Sequence, residues 1–329
     1  MPRLRSGVTL LVASLVALTS LGCSIPTFVV QPVSNSPELE EVVVRRGETK
    51  RAKVAVIPVE GLLVNARTGG GLLGTEENPV SLFRQQLARA AADDRVKAVV
   101  LRINSPGGTV AASEAMYRDV LRFKQQTGKV VVAASQDVSA SGGYYVSCAA
   151  DEIHAVPGGI VGSIGVIFQT LDASELMAKI GVEVRPITSG DLKDLGSPFD
   201  GLSEEEEAVF RGLVDDFFAS FVAVVNEHRE ISDTETAFDG RVFSATQAKE
   251  IGLIDEVLDL DSSLSRAAEL ADAKGATVIR YTRPFGYRGS IYASGDVASL
   301  TPRPALPGSE VLERYLQMLE PGAYYLWMP

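Results

Sequence analysis

Short apolar runs alternate with stretches of helical period along most of the chain. The run KVAVIPVEGLL, starting at Lys53, is brief, continuous and rich in β-branched residues, the pattern of a strand buried on both faces of a parallel sheet. A glycine-rich loop, RTGGGLLGTEEN, follows it. From Pro79 the period lengthens. Val80, Phe83, Leu87 and Ala90 or Ala91 recur at helical spacing, and Pro79 suits a first helical turn. The pattern then predicts a buried strand over 96–104 (VKAVVLRIN), the turn SPGGTV, a helix over 111–126 that stops at Gly128, and a strand over 129–135 (KVVVAAS). This β-α-β-α-β order argues for an α/β fold with a parallel sheet and right-handed crossovers.

Farther along, a short helix is predicted over 144–149, then EIHAV as an alternating strand, VGSIGVIF, a helix over 173–180 and a strand over 182–189 (VEVRPITS). The longest helix begins at Ser203, whose partner Glu206 completes a capping box, with acidic residues in the first turn to suit the dipole. Its apolar stripe of Phe210, Leu213, Val214, Phe217, Phe218, Phe221, Val224 and Val225 is broad enough to pack on both flanks, against core or a neighbouring subunit. Residues 24–50 mix Pro, Ser and charge without period and read as a tether. The segment from 284 on is loop-like apart from a helix near 309–319, and its aromatic end carries no signal of a role. The expected organisation is a leader over 1–22, a tether over 23–52, a catalytic domain over 53–283 and an extension over 284–329.

Charge and cysteine usage narrow the function classes. With a net charge of −11 and no large Lys/Arg cluster, the chain is not expected to bind nucleic acid. Arg3 and Arg5 precede the apolar run VTLLVASLVALTSLG, too short for a comfortable span but right for a signal-peptide core. The run stops at Cys23, and TSLGC resembles a bacterial lipobox, which implies lipidation of Cys23 and a membrane-tethered, extracytoplasmic protein of the cell envelope, periplasmic in a Gram-negative cell. Ser20 stands where that pattern prefers Leu, so a plain secretory signal or an uncleaved anchor is the alternative. The one other cysteine, Cys148, leaves a lipidated chain without an internal disulfide.

Two loops then carry the candidate chemistry, NSPGG (104–108) and SASGG (139–143), each after a predicted parallel strand. Ligands of open α/β sheets bind beyond the carboxyl ends of the strands, so both loops should face one site. Each brings a Gly-Gly pair whose backbone N–H groups can approach a ligand closely and stabilise an oxyanion. Ser141 precedes Gly142-Gly143 and a helix start, whereas Ser139 reads as a cap or loop serine, Ser105 as ordering its own turn, and Ser147 and Cys148 as packing residues. A serine needs a base. The two histidines offer little: His154 sits in an alternating strand and His228 at the polar end of the long helix. Of nine lysines, Lys193 stands apart in SGDLKDLGSPFD, directly after a predicted strand. From composition alone it reads either as a base or as a loop lysine paired with Asp191 or Asp194.

In order, INSPGG, ASGGYY, GSIGVI and LKDLGSPF resemble the signal peptide peptidase A family of serine proteases, peptidase family S49. The similarity runs from about Lys53 to Arg280 and includes FDGRVFSATQAKEIGLIDEV. It implies a fold of the crotonase and Clp-protease type, built of repeated β-β-α units. It also implies a Ser-Lys dyad with Ser141 as nucleophile and Lys193 as general base, and an oxyanion hole from Gly107 or Gly108 with Gly142. The implied substrates are signal-peptide remnants and other unfolded peptides, without cofactor or metal. The implied assembly is a homo-oligomeric, dome-like ring in which serine and lysine come from adjacent subunits. A free lysine titrates near 10.4 and a base at neutral pH needs about 7 to 8, so such a lysine must be desolvated. The rival readings are a non-catalytic ring of the same fold and a crotonase-type acyl-CoA enzyme.

Overall fold

The structure, a computed structural model, describes residues 38–49, 51–66, 77–283 and 322–327. The apolar runs form β2 (Lys53–Leu63), β3 (Val96–Thr109), β4 (Val130–Ala140) and β5 (Glu152–Ala155), preceded by β1 (Glu40–Arg45). Shorter strands follow: β6 (Ile160–Gly162), β7 (Ile167–Gln169), β8 (Val242–Ser244), β9 (Glu256–Val257), β10 (Thr277–Thr282) and β11 (Gly322–Leu326). The sheet runs β1-β10-β2-β3-β4-β5-β9, parallel throughout except where β1 meets β10. Beyond β4 the sheet continues through β6, which pairs parallel with it, and β8, which pairs antiparallel with β6.

Period-two alternation explains the layers. Ala55, Ile57 and Val59 of β2, with Val99, Leu101 and Ile103 of β3, point into the larger core. That core is covered by α1 (Pro79–Ala92), α2 (Val110–Thr127), α3 (Gly142–Ser147) and part of α5 (Glu204–His228). The intervening Val54, Val56, Ala98 and Val100 face a smaller core under α8 (Leu260–Leu270). Burial on both faces is why these strands read as continuous apolar runs. This is the α/β, crotonase and Clp-protease-like architecture expected from the sequence. The remaining helices are α4 (Ser174–Ile180), α6 (Thr234–Ala237) and α7 (Ala245–Glu250).

Local signals act as the sequence suggests. Pro79 opens α1 behind the Asn78 cap, Gly128 ends α2 at φ 64°, and Ser203 and Glu206 close their capping box at the start of α5. Four expectations change. Within the segment read as a tether, residues 40–45 form β1, because alternating Val42 and Val44 find the free edge of β10. The strands β3 and β4 extend through the motifs that read as loops, since the glycines of SPGG pair in register with β2. Residues 182–189 do not form a strand: among the described residues no neighbour pairs with them, and Val182, Val184 and Ile187 stand exposed, Ile187 fully. Near the other end, Gly322–Leu326 is not loop but β11, paired antiparallel with β3 on one side and β7 on the other. The leader, Cys23 and the helix expected over 309–319 lie outside the described residues. No helix among the described residues is long and apolar enough to cross a membrane.

Candidate active site

The two glycine-bearing segments meet at the carboxyl end of β3 and β4. Pairing of Ser139 with Val161 and of Ala140 with Gly162 carries β4 straight into Ser141, whose N–H donates to the Gly162 carbonyl at 2.7 Å. Ser141 then caps α3 at φ 51° and ψ −116°, and its carbonyl accepts from Tyr145 N–H at 2.8 Å. A positive φ at a non-glycine residue costs on the order of 1–3 kcal/mol and persists only where the surroundings enforce it. Here the β4–β6 ladder and the first turn of α3 do so. The residue is 1 % exposed, and its hydroxyl has no hydrogen-bond partner among the described residues. A buried, unpartnered hydroxyl is unusual, because burial without a bond carries a desolvation penalty.

Its neighbours are all committed elsewhere. Ser105 Oγ donates to the Gly61 carbonyl at 2.6 Å and accepts from Gly107 N–H at 3.1 Å, ordering its own turn. Ser139 Oγ pairs with Ser147 Oγ at 3.2 Å, and Ser147 Oγ donates to the Gly143 carbonyl at 2.9 Å. Of the serines in the two motifs, only Ser141 is buried and unbonded.

Of the three glycines read as oxyanion donors, Gly107 lies against Gly142, the residue that follows Ser141. Gly107 has φ +107°, and a Cβ there would sit 2.8 Å from the Gly142 nitrogen and 1.9 Å from the Tyr325 carbonyl oxygen. A Cβ on Gly142 would meet the same carbonyl oxygen at 3.1 Å. Gly108 backs onto β2, where a Cβ would lie 1.9 Å from the Leu63 carbonyl oxygen. Gly108→Ala is therefore expected to push β3 away from β2 and, on the reading of Gly108 as an oxyanion donor, to lower kcat by about 100-fold, the effect of losing one such donor. Steady-state kinetics with a quenched peptide, beside a thermal melt, would check this.

The histidines are occupied in structure. His154 is fully buried in β5 with Nε2 3.0 Å from Glu152. His228 is half-buried and not solvated as expected; Tyr117 OH lies 2.7 Å from its Nε2, and burial holds its imidazole below the usual histidine value. Neither ring bonds Ser141.

Most lysines are also engaged. Lys53 bridges Glu41 and Asp93, Lys129 donates to the carbonyls of Ala90, Ala91 and Asp93, and Lys124, Lys179, Lys249 and Lys274 each pair with a carboxylate. Lys97 is exposed at the amino end of β3, remote from the motif end of that strand. Lys193 sits in an exposed turn, its N–H bonded to the Gly190 carbonyl at 3.1 Å, and its ammonium has no ion-pair partner among the described residues, neither Asp191 nor Asp194. Within one chain no hydrogen bond joins it to Ser141.

One neighbour of the site was not legible in the sequence. Tyr325 of β11 brings its carbonyl against Gly107 and Gly142 and buries its ring in the aromatic cluster of Tyr145 and Phe221. The only signal was the aromatic end AYYLW itself, too short to show a period. Among the described residues no group of three or more His, Cys, Asp and Glu side chains is placed to hold a metal ion.

Known proteins resemble this chain over the same region. Residues 123–274 match the family model of peptidase family S49. A protein of Methanocaldococcus jannaschii named as a protease is 36% identical over 215 residues, covering 65% of this chain and 68% of that protein. One of Enterococcus faecium, named as a signal peptide peptidase SppA, is 35% identical over 253 residues, covering 75% of this chain and 71% of its own length. The chloroplastic serine protease SPPA of Arabidopsis thaliana is 32% identical over 242 residues, which span 71% of this chain and 35% of that protein.

Proposed function

Because the chain belongs to peptidase family S49 and is a peptidase, we propose that it is a serine endopeptidase of unfolded peptides, signal-peptide remnants among them, working through Ser141 and Lys193. The observation that carries this reading is the Ser141 hydroxyl, buried and unbonded at a strained turn beside the backbone of Gly107 and Gly142. Strain and an unsatisfied polar group are stored where function uses them.

In the reaction, neutral Lys193 Nζ takes the Ser141 proton as Oγ bonds to the scissile carbonyl carbon. The oxygen that becomes negative is held by the N–H of Gly142 and that of Gly107 or Gly108. Collapse breaks the C–N bond, Lys193 returns its proton to the leaving amine, and water then hydrolyses the acyl-enzyme by the same path. A lysine that stands free of carboxylates is suited to this cycle, because an ion pair would hold it protonated.

Lys193 comes from an adjacent subunit of a homo-oligomeric ring. Two features support this. The turn bearing Lys193 is exposed, and the same segment presents Val182, Val184, Ile187, Leu192 and Phe199 to solvent, an apolar stretch that gains from being covered. A second copy covering it would also desolvate the lysine, as a base at neutral pH requires. Arg3, Arg5 and the apolar run ending at Cys23 support export and a lipid anchor at Cys23, with membrane peptides as the accessible substrates.

A fluorophosphonate probe tests the nucleophile. It is expected to label the full chain at Ser141 and at no other serine, by peptide mapping. A folded protein that neither cleaves peptide nor takes the label would instead be a ring that keeps the fold without turnover.

A further inference from the structure

Two backbone segments must hold a fixed spacing if their N–H groups are to meet on one oxygen, Gly107-Gly108 toward the end of β3 and Gly142 at the start of α3. The Gly107 N–H is given to Ser105 Oγ at 3.1 Å, which on the oxyanion reading leaves Gly108 as the donor on that side. Ser113 of α2, fully buried, stands between the two segments. Its Oγ donates to the Thr109 carbonyl at 3.0 Å, and Thr109 follows Gly108 directly and caps α2. A Cβ on Gly142 would lie 2.3 Å from the same Oγ, nearer than the Tyr325 carbonyl oxygen at 3.1 Å or the Gly107 Cα at 3.2 Å. One hydroxyl therefore presses on one candidate donor while bonded to the residue next to the other.

The helix itself does not need that hydroxyl. The carbonyl of an N-cap residue such as Thr109 already accepts the first intrahelical bond, and a serine bonded back to the carbonyl four residues before it tends to weaken and bend a helix. Alanine would suit this buried position better by helix propensity, with no polar atom to satisfy. What the oxygen adds is its contact with Gly142. The next residue is seated as closely, since a Cβ on Gly143 would lie 2.8 Å from the Ser105 carbonyl oxygen. The first turn of α3 is thus bounded by α2 through Ser113 and by β3 through Ser105.

We propose that Ser113 is a positioning residue of the oxyanion site, its Oγ setting the distance between Gly142 and the Gly108-Thr109 backbone so that both N–H groups converge on one oxygen. The inference rests on the peptidase reading of Ser141 and deepens it, naming a group outside the two glycine motifs on which the rate depends. Ser113 acts through the backbone and makes no hydrogen bond to Ser141. Misplacing a catalytic group by about 1 Å can cost on the order of 100-fold, so a small relaxation of Gly142 into the space left by the hydroxyl is enough to matter.

The test compares full chains carrying Ser113→Ala, Gly142→Ala or both, by kcat and KM on a quenched peptide, inhibition by a peptide aldehyde, and melting. Ser141 Oγ bonds to the aldehyde carbon as its proton passes to Lys193, and the aldehyde oxygen, now negative, is left at the donors. Ser113→Ala is expected to lower kcat at least about tenfold and to weaken aldehyde inhibition by a similar factor. Its KM should stay within about twofold and its melting temperature within about 4 °C of wild type. Gly142→Ala alone should lose about 100-fold, because the new methyl must displace Ser113 Oγ. In the double variant that oxygen is gone and the methyl takes its place, so kcat should recover at least about tenfold over Gly142→Ala alone. Should Gly142→Ala fail to fold, Ser113→Ala still decides. Wild-type kcat and aldehyde inhibition in Ser113→Ala, a double variant whose losses simply multiply, or a kcat loss that comes with a lower melting temperature and unchanged aldehyde inhibition overturns the proposal. Failure of the Ser141 reading would show separately, as hydrolysis of peptide that survives Ser141→Ala, and takes the proposal with it.

Discussion

Replacing Ser141 by alanine is expected to lower kcat on a quenched, unstructured peptide by on the order of 10⁶-fold, the scale seen when a serine nucleophile is removed from an otherwise intact protease site. The backbone around Gly107 and Gly142 is unchanged by the substitution, so KM should change little. The same substitution should leave the melting temperature unchanged or raise it. Ser141 Oγ has no hydrogen bond to lose among the described residues, and removing an unsatisfied buried hydroxyl relieves a desolvation penalty of about 1–3 kcal/mol. Ser139→Ala makes the contrast: its hydroxyl pairs with Ser147 and carries no chemistry, so most activity should survive. A buried serine whose loss abolishes turnover while the fold is kept or strengthened is a nucleophile; one whose loss weakens both is a structural residue.

Lys193→Ala should be nearly as severe, lowering kcat by at least about 1,000-fold, within the range a positioned general base supplies. Stability of the folded chain should stay within about 0.5 kcal/mol, because Lys193 is exposed and makes no ion pair among the described residues. Lys193→Arg should not rescue, since a guanidinium does not release its proton at any pH the protein survives. Kinetics of the two variants beside their melting curves measure this. An exposed turn lysine that is silent in the melt and decisive in the assay is the result expected if a partner surface buries it in the working enzyme. Retained activity in Lys193→Ala would place the base elsewhere.

What the sequence disclosed follows from the range of the forces involved. Period, caps and breakers are local, and they located β2, α1, α2 and the start of α5 because Pro79, Gly128, Ser203 and Glu206 act on their own turns. Ser141 stood out for the same reason, since a serine ahead of two glycines at a strand-to-helix turn is a local pattern. Pairing is not local. The glycines of SPGG look like a turn until Leu62 and Leu63 are seen opposite Gly107 and Gly108, and β1 looks like a tether until β10 supplies its edge. The alternation of Val182, Val184 and Ile187 misled in the opposite direction, because a strand pattern without a partner strand leaves its side chains exposed. In β11 five residues cannot declare a period, and its partners β3 and β7 lie far back along the chain.

Those same distances separate what one chain carries from what the active enzyme needs. Ser141 and its glycines are assembled within the chain, while Lys193 rests in an exposed turn with no bond to the serine. The central claim is that a second copy closes that gap, and mixing tests it most directly. Ser141→Ala and Lys193→Ala chains, each inactive alone, are dissociated, mixed and reassembled, and hydrolysis of a quenched unstructured peptide is measured. Subunit exchange is followed independently by energy transfer between differently labelled chains. Recovery of activity in the mixture, up to about a quarter of the wild-type rate for random assembly with one intact pair in four, is the predicted result. No recovery in a mixture whose subunits have demonstrably exchanged would contradict it and return the dyad to a single chain.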